Sequence, residues 1–405
     1  MKKPLIVIFF TVFIYLLGFG MIIPVLPLLS THYGASAWEA GLLMSSYSLM
    51  QFIFAPFWGK LSDRYGRRPI LMYCLLGEVI SYLVLATSRS LEMLFVARIM
   101  TGFFGASIST ASAYVSDVTT PENRSKGMAL IGAAFGLGFL FGPAIGGGLT
   151  VFAEKISTDM GFIASFSSYG VAVLCLFTFI FAYFNLTESI SAETRAKNSE
   201  IKRHRFAHLT RYFKMPVVSP LITSFALTTI SMAMMEATLV LFMKERYNWS
   251  IKEVSFGFAY IGIIIVFTQG YLVRKLIPRF GEKNLLRVGL FSMALGFTGI
   301  GLVSSIPMMG VVMTFVSLGS GLTNPSILGS ISLLVPPDEQ GVALGTTQSL
   351  SALGRVIGPA VGGFLFQSAA INSPFILAGG LTFFALSIIY IIFKSLPEHG
   401  RTVKV

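Results

Sequence analysis

The chain has 405 residues, 54% of them apolar and 12% charged, with a formal net charge of +12. A soluble enzyme or binding module of this length cannot hide so much apolar surface, and lipid is the solvent the composition demands. The pI near 9.7 would suit nucleic acid, but the placement of the charge ties it to membrane topology, and no nucleic-acid partner is expected.

Apolar runs bounded by charge, Pro or Gly predict membrane helices over 5–29, 37–58, 70–88, 91–114, 126–150 and 162–185. Six more follow over 217–243, 254–273, 285–304, 306–333, 341–367 and 374–394. Each is near or above the ~20 residues that cross the hydrocarbon as a helix. The first run follows Lys2 and Lys3, but its length, Pro24 and Pro27, and the lack of a small-residue cleavage site set it apart from a leader peptide. The expected fold is an all-α membrane protein of twelve transmembrane helices in two pseudo-symmetric six-helix bundles, 1–185 and 217–405. A cytoplasmic linker, 186–216, joins them.

An even number of spans puts both termini on one side. Loops on that side hold 23 of the 30 Lys and Arg, and loops on the other hold five. By the positive-inside rule the rich side is cytoplasmic, in a bacterial inner membrane. Within the linker, Lys202-Arg203-His204-Arg205 with Phe206, Leu209 and Phe213 fits either an amphipathic helix on anionic headgroups or a solvated connector. His204 and His208 lack a third ligand, so no metal is expected. Cys74 and Cys175 lie in separate spans and are expected as free thiols.

Four segments carry mechanism. Gly59-Lys60-Leu61-Ser62-Asp63-Arg64-Tyr65-Gly66-Arg67-Arg68-Pro69 joins spans two and three. Its glycines permit a tight turn, and Asp63 among four cations can cap a neighbouring helix or pair with an arginine, which would lock one conformation. Arg98 lies inside span four, in Leu94-x-x-x-Arg98-x-x-x-Gly102-x-x-Gly105. The pattern G-x-x-x-G-P-x-x-G-G occurs at Gly138 to Gly147, with Gly142, Pro143 and Gly146, and again 216 residues later at Gly354 to Gly363, with Gly358, Pro359 and Gly362 (354 − 138). One rare motif at matching points of two halves marks a duplicated structure. Glycines four apart let helices approach and proline bends them, so these segments are expected to gate conformation as a seam between the halves.

The loop at 59–69 resembles the signature loop of the major facilitator superfamily. Arg98 and its glycines are similar to the superfamily's fourth-span motif, and Gly138 to Gly147 resembles the fifth-span motif of its antiporters. Gly18-Phe-Gly20-Met-Ile-Ile-Pro24-Val-Leu-Pro27 is similar to the twelve-span drug/proton antiporter branch, with its tetracycline and multidrug exporters. The resemblance implies alternating access, with bent fifth and eleventh spans lining the domain interface. It also implies the proton gradient as energy source; no nucleotide motif or cofactor is expected.

Glu78, Arg98, Glu236 and Arg355 are ionisable residues inside spans, where an unpaired charge costs about 3 kcal/mol or more. Glu236 and Arg98 lie at similar depth, about 10 Å below the outer ends of spans seven and four. Glu236 is expected to hold and release the proton and to touch a cationic part of the cargo, unless it is merely a structural ion pair with an arginine. Arg98 would be its fixed cation. Glu78 is either a partner for Arg98 or a second proton site. Arg355 either pairs with Glu236 or hydrogen-bonds its neighbours. Phe19, Gln51, Phe135, Met232, Met235, Asn324, Gln348 and Arg355 are candidate substrate contacts on spans expected to face a cavity; methionines adapt to varied cargo.

The acids that tetracycline exporters carry in spans one, three and nine fall here at Tyr15, near Ser81 and close to Met293. Those departures speak against tetracycline–metal chelates and for a lipophilic cargo. The expected activity is proton-coupled export of small lipophilic compounds, cations among them, by a monomer in the bilayer. A carrier dedicated to one metabolite, sugar, siderophore or lysolipid is the alternative. An enzyme is not expected, because no nucleophile–base set stands out.

Overall fold

In the computed structural model, residues 3–120, 124–190, 212, 215–336 and 339–396 are described. Among them there are helices, turns and bends but no strand. Most of the linker, including His204 and His208, and the side chain of Phe135 lie outside the described residues.

The first half holds α1 (Lys3–Ile22), α2 (Leu26–His32), α3 (Ala37–Tyr65), α4 (Arg67–Ala86), α5 (Leu91–Gly105), α6 (Ile108–Val118), α7 (Arg124–Glu154) and α8 (Met160–Asn185). Pro24 and Pro27 break span one into α1 and α2, because proline cannot donate to the helical ladder. The second half holds α9 (Val218–Tyr247), α10 (Ile251–Phe267), α11 (Val273–Leu302), α12 (Ile306–Leu334), α13 (Gln340–Ser368) and α14 (Ser373–Ile392). A π-helical turn, Thr268–Leu272, fuses α10 to α11.

Among the described residues, eleven helical segments are long and apolar enough to cross a membrane, one of them the 52-residue stretch Ile251–Leu302. At 1.5 Å per residue that stretch reaches about 78 Å, more than twice the hydrocarbon core. It breaks at Gly281, where φ is 73° and ψ 162°, so it accounts for two of the passes expected from the sequence. Gly66 has the same unusual backbone, with φ 108°, between α3 and α4. Only glycine takes such angles without strain, and each half uses one at the same turn.

A second duplicated device lies at the opposite ends. Ser36 Oγ accepts from the Glu39 amide at 3.2 Å, and the Ser36 amide donates to Glu39 Oε2 at 2.8 Å. The Ser250 amide donates to Glu253 Oε2 at 2.8 Å in the same way. The first is a complete capping box, a feature that contributes about 1 kcal/mol, and the Ser–Glu pairs start the second span of each half.

Two compact units emerge: Met1–Lys202 with Met243–Tyr260, and Arg203–Phe242 with Ile261–Val405. The division differs from the expected one, because Met243–Tyr260 packs with the first unit. Each unit has its own apolar core, one around Val12, Leu71, Val115 and Ala134, the other around Leu221, Leu290, Ile327 and Leu386.

Candidate coupling and transport sites

A polar cluster lies inside the first unit. Tyr15 of α1 and Tyr47 of α3 share a hydrogen bond, hydroxyl to hydroxyl, of 2.7 Å. Gln51, one turn beyond Tyr47, donates from Nε2 to Tyr47 Oη at 2.8 Å, to Gly105 O at 3.1 Å and to Tyr15 Oη at 3.3 Å. Phe19 stacks on the Tyr47 ring at 4.9 Å. Glu78 and Arg98 complete the group, each 1% exposed. The Arg98 guanidinium lies 4.4 Å from the Tyr47 ring centre. No ion pair joins Arg98 to Glu78; both carboxylate oxygens of Glu78, and Nε of Arg98, lack hydrogen-bond partners.

Gly105 is what lets these groups meet. A Cβ there would overlap the Tyr15 hydroxyl and come within 3.0 Å of Glu78 Oε1 and 3.2 Å of Gln51 Nε2. The sequence singled out Gln51, Glu78, Arg98 and Phe19, but Tyr15 only as a lost acid, and Tyr47 not at all. A tyrosine in an apolar span looks like packing, and its polar neighbour lies 32 residues away.

The turn between α3 and α4 forms a charged network. Arg67, buried, reaches Asp63 Oδ1 at 2.6 Å, Ser62 Oγ at 2.6 Å and Asp117 Oδ2 at 3.0 Å. Asp117 also accepts from Ser189 Oγ at 2.9 Å. The arginine pair expected for Asp63 is formed. The N-terminus of α4 is held by Glu188, which accepts from the amides of Arg67 at 2.9 Å and Arg68 at 3.2 Å. A carboxylate suits the positive end of a helix. Gly66 is again required, since a Cβ there would collide with Glu188. The Gly59 carbonyl accepts from Ser62 Oγ at 2.8 Å, and Arg64 lies over Tyr65 at 5.3 Å.

Six glycines of the repeated glycine-proline motifs pack closely against a neighbouring helix of their own unit. A Cβ on Gly138 would sit 2.8 Å from Leu16 Cβ, on Gly142 2.8 Å from Gly20 Cα, and on Gly146 2.9 Å from Met21 O, all in α1. In the second unit the corresponding approaches are Gly354 to Ile230 Cγ1 at 3.2 Å, Gly358 to Ile230 O at 2.6 Å and Gly362 to Met234 Cγ at 2.7 Å, all in α9. The helices run through Pro143 and Pro359. Gly147 differs: its Cβ would come 2.8 Å from Ser255 Cβ, in the stretch that packs with the first unit.

In the second unit Glu236 is half-buried on α9, and the charge acting on it is that of Arg355 on α13, which is also half-buried. Met232 and Asn324 are half-buried and Gln348 is exposed. Met235 is fully buried.

Multiple apolar passes, an internal duplication and acids buried within the spans define a multi-pass integral membrane transporter of small molecules. The sequence profile of the Major Facilitator Superfamily matches residues 8–359 and 276–404, and the chain belongs to that family. It is 32% identical over 373 residues to the class H tetracycline resistance protein of Pasteurella multocida, covering 91% of this chain and 90% of that one. With Multidrug resistance protein 2 of Bacillus subtilis it shares 28% over 380 residues, 93% of this chain and 92% of the relative. The solved human organic anion transporter MFSD10 superposes with a TM-score of 0.70 at 25% identity, over 96% of this chain and 99% of that one. A bacterial Spinster homologue, captured inward-facing and occupied, reaches 0.79 at 14% identity over 98% of each chain, a likeness of fold alone.

Proposed function

We propose that this protein is a proton-coupled antiporter that exports small lipophilic compounds, cations among them, from a bacterial cell by alternating access. The observation that carries the reading is similarity over nine-tenths of the chain to proteins named for tetracycline and multidrug resistance. Support comes from Glu78 and Glu236, carboxyl groups placed within spans, where function is the default explanation for an ionisable residue. Glu236 contacts the cationic part of the cargo, with Arg355 nearby as the charge that competes for it. The proton gradient supplies the energy, and both termini face the cytoplasm by the positive-inside rule.

Efflux from energised cells, with the pH gradient present or collapsed, tests this reading. Wild-type protein should extrude a lipophilic cation only while the gradient lasts. Glu236→Gln should lower export of cationic cargo by about tenfold, the equivalent of ~1.4 kcal/mol, and spare neutral cargo. Extrusion indifferent to the gradient, or equal loss for both cargo classes, would refute it. A carrier dedicated to one endogenous compound is the second reading. A narrow profile across a compound panel would establish it.

A further inference from the structure

We infer that the second unit carries a binding site for an anionic phospholipid, in which Lys283 and Arg287 hold the phosphate and the adjoining faces of α11 and α14 take the acyl chains. The site is separate from the coupling and cargo residues above, and it does not depend on what the protein transports.

Five cations and one acid lie between residues 274 and 287. Two of the cations, Lys283 and Arg287, are one turn apart on α11 and share a face of that helix. Lys283 Nζ lies 5.1 Å from the centre of the Phe393 ring; the Arg287 guanidinium lies 4.2 Å from the same ring and 5.4 Å from that of Tyr390. Tyr390 is in the last turn of α14 and Phe393 directly follows it, so the end of one helix gathers two positive charges. A ring face attracts a guanidinium without taking up its N–H donors, which are left for an acceptor. Among the described residues no carboxylate pairs with Arg287. The one acid of the stretch, Glu282, turns toward α12, where its Cγ lies 3.5 Å from the place of a Cβ on Gly329. Lys394, next to the shared ring, is exposed and adds a third charge.

The duplicated halves differ here. Each places a cation two residues beyond its positive-φ glycine, Arg68 after Gly66 and Lys283 after Gly281, over an aromatic ring at the end of its last span. In the first unit Arg68 also donates to the Tyr183 carbonyl at 2.8 Å, so the protein meets the cation's need itself. Where the second unit has Arg287, the first has Met72, which packs on the apolar core. The second cation is therefore not required by the shared fold.

Apolar surface continues from the charges. Val288, Phe291 and Leu295 are exposed on α11, and Phe383, Phe384 and Ile391 on α14. Phe291 and Phe383 meet edge to face at 6.5 Å, so the two faces adjoin. In a bilayer such a surface meets acyl chains, and cations at its end meet the phosphate layer. Arginine supplies a phosphate with a fork of donors and lysine with a point charge. A free phosphate would use the charges alone; a phospholipid uses the charges and the apolar faces together.

Native mass spectrometry of the purified full-length protein in detergent, titrated with phosphatidylglycerol, reads the binding directly. Wild type should hold phosphatidylglycerol about tenfold more tightly than phosphatidylcholine, and a large excess of inorganic phosphate should not displace it. The double variant Lys283→Gln/Arg287→Gln should lose about tenfold or more in affinity for phosphatidylglycerol and keep its affinity for phosphatidylcholine. Arg274→Gln, which removes an exposed charge from the same stretch, should stay within about twofold of wild type. Phe393→Leu keeps every charge but removes the shared ring, and should weaken phosphatidylglycerol binding by about threefold or more. Equal retention of the two lipids by wild type, displacement by inorganic phosphate, or a double variant that matches Arg274→Gln overturns the site. Should the double variant fail to fold, Phe393→Leu decides, and an unchanged affinity there refutes the assignment.

Discussion

The guanidinium of Arg98 and the ring of Tyr47 lie 4.4 Å apart, centre to centre, in a part of the first unit closed to solvent. The contact depends on a planar cation, because a guanidinium stacks where an ammonium acts as a point charge. Arg98→Lys keeps the charge and loses the stack. It should fold normally and reduce gradient-driven efflux by about tenfold. Efflux at wild-type rates, at equal protein abundance, would remove the stacked geometry from the mechanism.

Gly142 and Gly358 should be the least replaceable members of the repeated motif. An added Cβ meets backbone at both, Gly20 Cα and Leu17 O at 2.8 Å in one case and Ile230 O at 2.6 Å in the other, and backbone cannot step aside. Gly142→Ala and Gly358→Ala should each lower stability by about 1–3 kcal/mol, read as a lower melting temperature in detergent. Gly148→Ala, next to the first motif, has nothing within 4 Å and serves as the neutral control. Equal effects at Gly142 and Gly148 would contradict the packing described here.

Glu188 should matter more than its position at the edge of the linker suggests. Removing its carboxylate with Glu188→Ala frees the amides of Arg67, Arg68, Ser189 and Ile190. The expected loss is about 1–2 kcal/mol, comparable to deleting a helix cap. Glu188→Gln, which keeps one acceptor oxygen, should recover part of it. A melting temperature unchanged in both variants would show that the clasp contributes nothing.

Arg67 sits between two acids, Asp63 and Asp117, and the pair should act as a unit. Asp63→Asn and Asp117→Asn should be mild singly, each leaving the other partner in place. Together they strand a buried cation, a loss of about 3–5 kcal/mol. Thermal denaturation of the four proteins in the mutant cycle measures the coupling; simple additivity would disprove it.

The sequence made much of this visible, and the limits have physical causes. Hydropathy located the spans because lipid imposes one length on every pass, and Pro24 and Pro27 announced the break in the first. The twofold repeat was plain in the glycine-proline motif. Which way those glycines point was not, because a helix packed on its neighbour and a helix at a domain seam use the same small residues. The burial of Met235 was not legible either, because methionine serves cargo surfaces and cores alike. Glu188 gave no local signal, since it acts on amides more than a hundred residues earlier in the chain. Nor did the shared Ser–Glu pairs at Ser36 and Ser250, short motifs easily lost in apolar text, suggest themselves as a second mark of duplication.

Gly105 has one more implication. The atoms its missing side chain leaves room for belong to Tyr15, Gln51 and Glu78, on the first, second and third spans, while the glycine itself is on the fourth. A change in any one of them therefore presses on four membrane crossings at once.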